Sequence, residues 1–296
     1  MAMMFTLLES LPPELERALA ALRQQLASWD QVVVAYSGGV DSALVAALAV
    51  ETLGHRALAI TGVSPALAPH LRQEARAQAA WMGLSHRELA TAELGDPAYA
   101  ANPEDRCYAC KRELHQLLAP IAAAAGATVV LDGVNRDDLG DHRPGIRAAR
   151  EYGVLSPLAE IGLDKAGVRQ ISRALGLPWW DKPAQPCLAS RFPYGEPISA
   201  ARLERVAAAE DWLRQRGFAE LRVRSQGETA RIELPAHRLP AVLRHLAENS
   251  WREALVAAFS DLGFTAVGLD LEGLVSGKLN RVLVNPGEAK AEQNEE

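Results

Sequence analysis

The chain has 296 residues, of which 49% are hydrophobic and 23% charged, enough to bury a large core and to form two domains. Its 37 acidic residues outnumber its 31 basic residues, and the formal net charge of −6 argues against broad nucleic-acid binding while allowing a local basic patch. The odd number of cysteines, three, argues against a disulfide framework and for a reducing, cytoplasmic location, and no apolar run is long enough to cross a membrane.

Strands alternate with helices through the first half of the chain. The hydrophobic patterns predict strands at 32–36, 57–63, 85–89 and 128–132. They predict helices at 11–29, 43–53, 67–82, 106–125, 146–152 and 164–175, with a polar loop at 91–105. This alternation predicts βαβ units, an α/β fold with a parallel sheet, and ligand binding at the carboxyl ends of the strands.

The second half lacks this strict alternation and predicts a smaller α+β domain. An irregular segment at 178–197 precedes it, and its length and its cysteine favour a functional loop over a linker. We expect domains at 1–195 and 196–285, followed by a polar, disordered tail at 286–296. The predicted elements are a helix at 198–217, paired strands at 221–224 and 230–234, one or two helices within 239–261, and a strand at 265–271.

The string Ser-Gly-Gly-Val-Asp-Ser at 37–42 lies between the first predicted strand and the next helix. Such a turn directs backbone N–H groups and the positive end of the helix dipole at one point, which suits phosphate. Asp41 would repel phosphate and is expected to orient the loop or to hold Mg²⁺. The alternative is an ordinary turn in which Ser42 is the N-cap of the helix.

The string is neither a Walker A loop nor a dinucleotide fingerprint, and it resembles the PP-loop of ATP pyrophosphatases. These enzymes bind the pyrophosphate of ATP and transfer AMP to a substrate. The residues expected to bind ATP are Ser37, Gly38, Gly39, Val40, Asp41 and Ser42, joined by Thr61, Asp132, Gly133 and Asn135 at strand ends. Asp138 and Arg143 belong to a charged loop that either contacts the ligand or is simply solvated.

The three cysteines form a second candidate site. Cys107 and Cys110 have the spacing of one helix face, and Cys187 lies in the irregular segment. Each could be a small buried apolar residue, and structural zinc is disfavoured because no histidine pairs with them at zinc-finger spacing. Three thiolates could instead hold an iron–sulfur cluster with one iron left open. The flanking cations expected to lower the thiol pKa values are Arg106, Lys111 and Arg191.

Six segments together resemble the LarE family of ATP-dependent sulfur-insertion enzymes. They are 37–42, 105–111, 132–143, 187–195, 222–224 and 269–273. The resemblance implies biosynthesis of a nickel-pincer nucleotide cofactor by a homo-oligomer that uses ATP. Family members adenylate a carboxylate of pyridinium-3,5-biscarboxylic acid mononucleotide and replace its hydroxyl oxygen with sulfur. The catalytic residues implied here are Ser37, Asp41 and Cys187.

The family offers two sources of sulfur. Some members sacrifice the cysteine that matches Cys187 and leave dehydroalanine, whereas others bind a 4Fe–4S cluster through three cysteines. With Cys107 and Cys110 also present, this sequence follows the second pattern.

The substrate is expected to bind through polar residues of the second half. Arg222 and Arg224 alternate on one strand face and could grip a substrate phosphate together, although an exposed charged face is the alternative. Glu210 could balance their charge, and Ser190 and Arg191 are also assigned to the substrate.

Three other functions compete with this one. A PP-loop tRNA thiolase would also use three cysteines, but the acidic composition and the lack of an evident RNA-binding module argue against it. An amidating enzyme is disfavoured because the sequence shows no glutaminase domain and because this function would leave the cysteines unexplained. A regulator that binds ATP without catalysis needs no cysteines and would release no pyrophosphate.

Overall fold

The structure is a computed structural model that describes residues 5–127, 129–140, 144–275 and 277–282. The chain divides into two units, Met1–Cys187 and Leu188–Glu296. The division falls directly after Cys187, earlier than the boundary expected at 195. The predicted tail at 286–296 lies outside the described residues.

The first unit is built on a parallel sheet, as predicted. Its strands are β1 (Val32–Ala35), β2 (Ala57–Val63), β3 (Ser85–Ala90) and β4 (Val129–Leu131), in the order β3-β2-β1-β4. All three neighbouring pairs are parallel. The three valines that open β1 are at most 1% exposed, as expected for a central strand covered on both faces.

Helices pack against this sheet because they present apolar faces to it. On the first helix, Leu19, Leu22 and Leu26 recur at helical spacing and are buried against the next helix, which is itself buried over most of its length. The helices are α1 (Pro13–Ala27), α2 (Val40–Leu53), α3 (Pro69–Trp81), α4 (Pro97–Ala100), α5 (Arg106–Ala124), α6 (Pro144–Glu151), α7 (Pro157–Glu160) and α8 (Lys165–Ala174).

The second unit has a three-stranded mixed sheet with order β5-β6-β7, which confirms the smaller α+β region. The first two strands are antiparallel around a turn at Gly227, where φ is +55°, and the last two are parallel. Its elements are α9 (Ala200–Arg214), β5 (Arg222–Gln226), β6 (Thr229–Glu233), α10 (Leu239–Ala247), α11 (Asn249–Asp261) and β7 (Ala266–Leu269).

The structure differs from the predicted elements in two short helices. The segment predicted as a loop at 91–105 contains α4, and α7 was not predicted, because four residues are too few to show a helical period. Within the described residues, no helix is long and apolar enough to span a membrane.

Candidate active site

The glycine-rich segment 37–42 joins β1 to α2, and Gly39 is the N-cap of that helix. No side chain of the described residues caps α2, so its first backbone N–H groups are available to an anion. The alternative with Ser42 as N-cap is wrong, because Ser42 lies inside the helix and its hydroxyl donates to the Gly39 carbonyl oxygen at 3.2 Å. At Gly38, φ is +70° and a Cβ would lie 3.0 Å from that of Ala75, so a side chain there would be strained.

Two hydroxyl groups of this segment face each other. The Ser37 Oγ lies 3.0 Å from the Ser42 Oγ, and the Gly39 N–H donates to the Ser37 Oγ at 3.3 Å. Backbone and side-chain polar groups therefore converge on one short stretch, as they do in loops that bind anions.

The loop that follows β4 packs directly against the PP-loop. A Cβ on Gly133 would lie 2.5 Å from the backbone nitrogen of Ser42, so glycine is required there. The Asn135 side-chain amide donates to Asp41 Oδ1 at 3.2 Å. Two of the residues predicted from strand ends are thus brought against the predicted phosphate loop.

Other residues predicted at the strand ends are bonded within the fold. Thr61 is 2% exposed, and its hydroxyl donates to the Tyr36 carbonyl oxygen at 2.8 Å. Asp132 accepts a backbone N–H at 3.0 Å, and burial raises its pKa. Asp138 is buried and accepts a hydrogen bond from a backbone N–H at 3.0 Å, so the alternative in which this side chain is simply solvated is wrong. Arg143 lies outside the described residues.

Two lysines from distant parts of the chain reach the PP-loop. The Lys165 ammonium lies 2.5 Å from Asp41 Oδ2, across 124 residues of sequence. The Lys182 ammonium donates to the Gly38 carbonyl oxygen at 3.0 Å and pairs with Glu74 at 2.6 Å. Two positive charges therefore border a loop whose own sequence contains none.

The cysteines occupy one helix and the end of the first unit. Cys107 and Cys110 lie on α5, as predicted, and Cys187 is exposed. Burial raises the pKa of Cys110 to about 12, and the charges of Glu93, Cys187 and Cys107 add to this, whereas Lys111 opposes it. The expectation that flanking cations lower the thiol pKa is therefore wrong for Cys110, because burial outweighs them.

Cys110 interacts electrostatically with each of the other two thiols. Both other cysteines raise the pKa of Cys110, so their charges act over the distance that separates them. Among the described residues, no group of three or more His, Cys, Asp or Glu is close enough to hold a single metal ion. Three thiols are the ligand type that iron–sulfur clusters use, with one thiolate for each iron that the protein holds.

In the second unit, Arg191 and Glu210 form a buried ion pair. The guanidinium of Arg191 donates Nε and Nη2 to the two carboxylate oxygens of Glu210 at 2.7 and 3.1 Å, and donates Nη1 to the Ser190 hydroxyl at 3.0 Å. Burial favours a raised pKa for Glu210, but the neighbouring arginines Arg191 and Arg214 lower it. Glu210 therefore balances those two arginines, and not primarily the strand pair to which it was assigned.

Arg222 and Arg224 lie on the same strand, β5, and both are buried. The alternative interpretation, in which they form an exposed charged face, is therefore wrong. Arg224 pairs with the buried Glu233 at 2.9 Å. Arg222 is 8% exposed and makes no hydrogen bond or ion pair with any residue that the structure describes. Burial, followed by the charges of Arg224 and Arg191, lowers the pKa of Arg222 to about 10.

Comparison with known proteins identifies the family. A family model described as NAD synthase matches residues 14–97, the part that contains the PP-loop. The chain is 35% identical, over 89% of its length and 94% of the relative's, to pyridinium-3,5-bisthiocarboxylic acid mononucleotide synthase of Lactiplantibacillus plantarum. The chain belongs to the LarE family.

Two further relatives resemble this LarE protein over two thirds of its length or more. It is 54% identical, over 91% of its own length and 99% of the relative's, to the uncharacterized protein slr1717 of Synechocystis. It is 26% identical, over 67% of its length and 68% of the relative's, to one of the subunits of the glutamine-hydrolyzing GMP synthase of Methanoregula boonei. The LarE protein is an ATP-utilising enzyme of this superfamily.

Sequence reasoning missed three side chains that bond to the PP-loop, namely Lys165, Lys182 and Gln78. The Gln78 amide donates to the Gly38 carbonyl oxygen at 3.2 Å and accepts the Tyr36 hydroxyl at 2.8 Å. One signal was available, because a phosphate loop without its own lysine needs positive charge from elsewhere. That signal does not indicate which lysine supplies the charge.

Proposed function

We propose that this protein is an ATP-dependent sulfurtransferase of nickel-pincer nucleotide synthesis. It adenylates a carboxylate of pyridinium-3,5-biscarboxylic acid mononucleotide, releases pyrophosphate and converts the carboxylate to the thiocarboxylate. The activity for which the Lactiplantibacillus plantarum relative is named supports this substrate. The observation that carries the proposal is Arg222, a buried cation that makes no ion pair among the described residues and that a substrate phosphate would neutralise. The family resemblance further supports a homo-oligomer.

Activation of the substrate takes place at the PP-loop. A carboxylate is a poor acylating agent, because its leaving group would be oxide. Its oxygen attacks the α-phosphorus of ATP, pyrophosphate leaves with the bonding electrons, and the resulting mixed anhydride can lose AMP to sulfur. The helix N-terminus and the hydroxyls of Ser37 and Ser42 stabilise the departing pyrophosphate.

Asp41 is the residue of this loop that fits Mg²⁺. Its carboxylate already attracts a cation, since the Lys165 ammonium lies 2.5 Å from Oδ2. Carboxylates are preferred ligands of Mg²⁺, which usually binds through one or two of them together with substrate phosphates. Bound Mg²⁺ would neutralise charge on the phosphates, and Asp41 would orient it.

Lys182 is expected to bind the phosphates of ATP. Replacing it with methionine should raise the KM for ATP about ten-fold, because one charge-assisted contact is lost. Steady-state pyrophosphate release measures this change. Glu74→Gln is the matched control, since it removes the 2.6 Å ion pair and leaves the lysine in place. Equal weakening of ATP binding by both variants would mean that the ion pair only holds the loop.

Arg222 is expected to discriminate between the two substrates. In Arg222→Ala the KM for the pyridinium mononucleotide should rise about ten- to one hundred-fold, whereas the KM for ATP should change little. The exposed Arg244→Ala on α10 removes the same charge from the same unit and serves as the control. Equal effects of Arg222→Ala on both substrates would contradict phosphate binding.

We assign sulfur transfer to the three cysteines. Cys107, Cys110 and Cys187 would hold a 4Fe–4S cluster, which when bound supplies sulfur for the activated carboxylate. The raised pKa of Cys110 means that this thiol stays protonated until a metal displaces the proton. The second family route, in which Cys187 gives up its own sulfur, needs neither of the other two cysteines.

Pyrophosphate release with different acceptors tests the proposed function. The anaerobically purified protein is given Mg²⁺ and ATP together with the pyridinium mononucleotide, with tRNA, with ammonia or with no acceptor. We expect release only with the pyridinium mononucleotide. Stimulation by tRNA alone would indicate tRNA thiolation, and no release with any acceptor would indicate a non-catalytic ATP-binding protein.

A further inference from the structure

Tyr99, in the short helix α4, has a hydroxyl group that packing does not explain. The side chain is 2% exposed and is among the largest fully buried side chains of the protein. Its hydroxyl has no hydrogen-bond partner among the described residues. Burying an unsatisfied hydroxyl costs about 1–3 kcal/mol, and phenylalanine would fill the same space without that cost. The hydroxyl is therefore a candidate for a role that requires a bound group.

The surroundings of this hydroxyl point to the cysteines. Helix α4 packs against α5, which presents Cys107 and Cys110. Burial raises the pKa of Tyr99, and the charges of Cys187, Cys110 and Glu93 raise it further, so both sulfurs and the Glu93 carboxylate act on this hydroxyl. The phenol therefore remains protonated at neutral pH and can donate a hydrogen bond to an acceptor that carries negative charge.

Other acceptors near Tyr99 do not use its proton. The buried Glu93 accepts the Ser64 hydroxyl at 2.6 Å through Oε1, and its Oε2 is also without a partner among the described residues. The Tyr99 hydroxyl and Glu93 Oε2 are therefore both buried and do not bond to each other. The donor is then available to a charged sulfur at the cysteine site.

We propose that the Tyr99 hydroxyl donates a hydrogen bond to a sulfur of the three-cysteine site when that sulfur carries negative charge. Tyr99 would be a positioning residue that stabilises thiolate or cluster sulfur. Hydrogen bonds to sulfur are among the means by which proteins set the potential of such sites. The inference rests on the proposed function, in which the three thiols handle sulfur.

The structure offers a matched control on the neighbouring helix. Tyr108 lies between Cys107 and Cys110 in sequence, and its hydroxyl donates to Glu151 Oε2 at 2.7 Å near the surface. Tyr108→Phe therefore removes the same group beside the same cysteines, but from a hydroxyl that already has a partner. Tyr99→Phe removes the hydroxyl that has none in the described residues.

The first measurement is the midpoint potential of the full chain reconstituted anaerobically with iron and sulfide. Loss of a hydrogen bond to sulfur destabilises the more negative, reduced state, so Tyr99→Phe should shift the potential to more negative values. Tyr108→Phe should leave it unchanged. The melting temperature of Tyr99→Phe should be equal to or above that of the wild type. An unchanged potential would overturn the proposal.

The second measurement separates this inference from the proposed function. Iron and sulfide analysis first establishes that the wild type, Tyr99→Phe and Tyr108→Phe take up the same cluster, and a wild type that takes up none overturns the proposal. Pyrophosphate release by the wild type with the pyridinium mononucleotide is measured on the same samples. A shifted potential in Tyr99→Phe, in a protein that releases no pyrophosphate, would support the role of Tyr99 and contradict the proposed function. An unchanged potential, in a protein that does release pyrophosphate, would overturn the role of Tyr99 alone.

Discussion

Asp41→Asn should reduce pyrophosphate release about 10²- to 10³-fold while the protein stays folded. This carboxylate lies at the N-terminal end of α2, 2.5 Å from the Lys165 ammonium and 3.2 Å from the Asn135 amide. Asparagine keeps the size of the side chain and one acceptor oxygen, but it loses the charge that would hold Mg²⁺ on the phosphates. Loss of one preorganised interaction with a developing anion lowers the reaction rate by a factor of this order.

Lys165→Met is the informative companion to Asp41→Asn. If Asp41 only anchors Lys165, the two variants should lose the same activity and keep the same dependence on Mg²⁺ concentration. If Asp41 orients Mg²⁺, only Asp41→Asn should require much higher Mg²⁺ for half-maximal rate. Pyrophosphate release near the wild-type rate in Asp41→Asn would contradict the assignment of this loop.

Cys107→Ala, Cys110→Ala and Cys187→Ala should each abolish sulfur transfer and leave pyrophosphate release intact. Ligands of one cluster act as a set, so losing any one of them damages the site. Adenylation uses the PP-loop and needs none of the thiols, which makes pyrophosphate release an internal control for folding in every variant. Iron content and the visible absorption of the cluster should fall together with sulfur transfer.

The sacrificial route predicts a different pattern among these variants. Cys187→Ala alone would be inactive, and Cys107→Ala would transfer sulfur normally. Each wild-type chain would act once, and Cys187 would be converted to dehydroalanine, a change visible in the peptide mass. Finding that pattern would contradict the cluster assignment and leave Cys107 and Cys110 without a role in sulfur transfer.

Much of the first unit could be predicted because its signals are local. The valine run of β1, the glycines after it and the apolar composition of α2 follow from neighbouring residues, and β2 has the predicted bounds of 57–63. The shared strand of Arg222 and Arg224 likewise follows from a period of two. Properties set by burial were not predictable, since the charged neighbours of Cys110 in sequence suggest the opposite shift of its pKa.

Tertiary contacts supply what sequence spacing does not reveal. Lys182 reaches the Gly38 carbonyl oxygen across 144 residues, and no local pattern marks it among the other basic residues. The lack of an ion pair at Arg222 was likewise not predictable. Only the folded second unit shows that Glu210 pairs with Arg191 and that Glu233 pairs with Arg224. In both cases the fold, and not the local sequence, decides where each charge lies and which acidic residue it pairs with.

The mass of the product tests the central claim most directly. The anaerobic, reconstituted protein is incubated with ATP, Mg²⁺, sulfide and pyridinium-3,5-biscarboxylic acid mononucleotide, and the pyridinium species are resolved by mass spectrometry. We predict products in which one and then both carboxylates have exchanged an oxygen for a sulfur, with AMP and pyrophosphate formed in equal amounts. A substrate that is recovered unchanged, while ATP is cleaved and the protein carries its full cluster, would contradict the assignment.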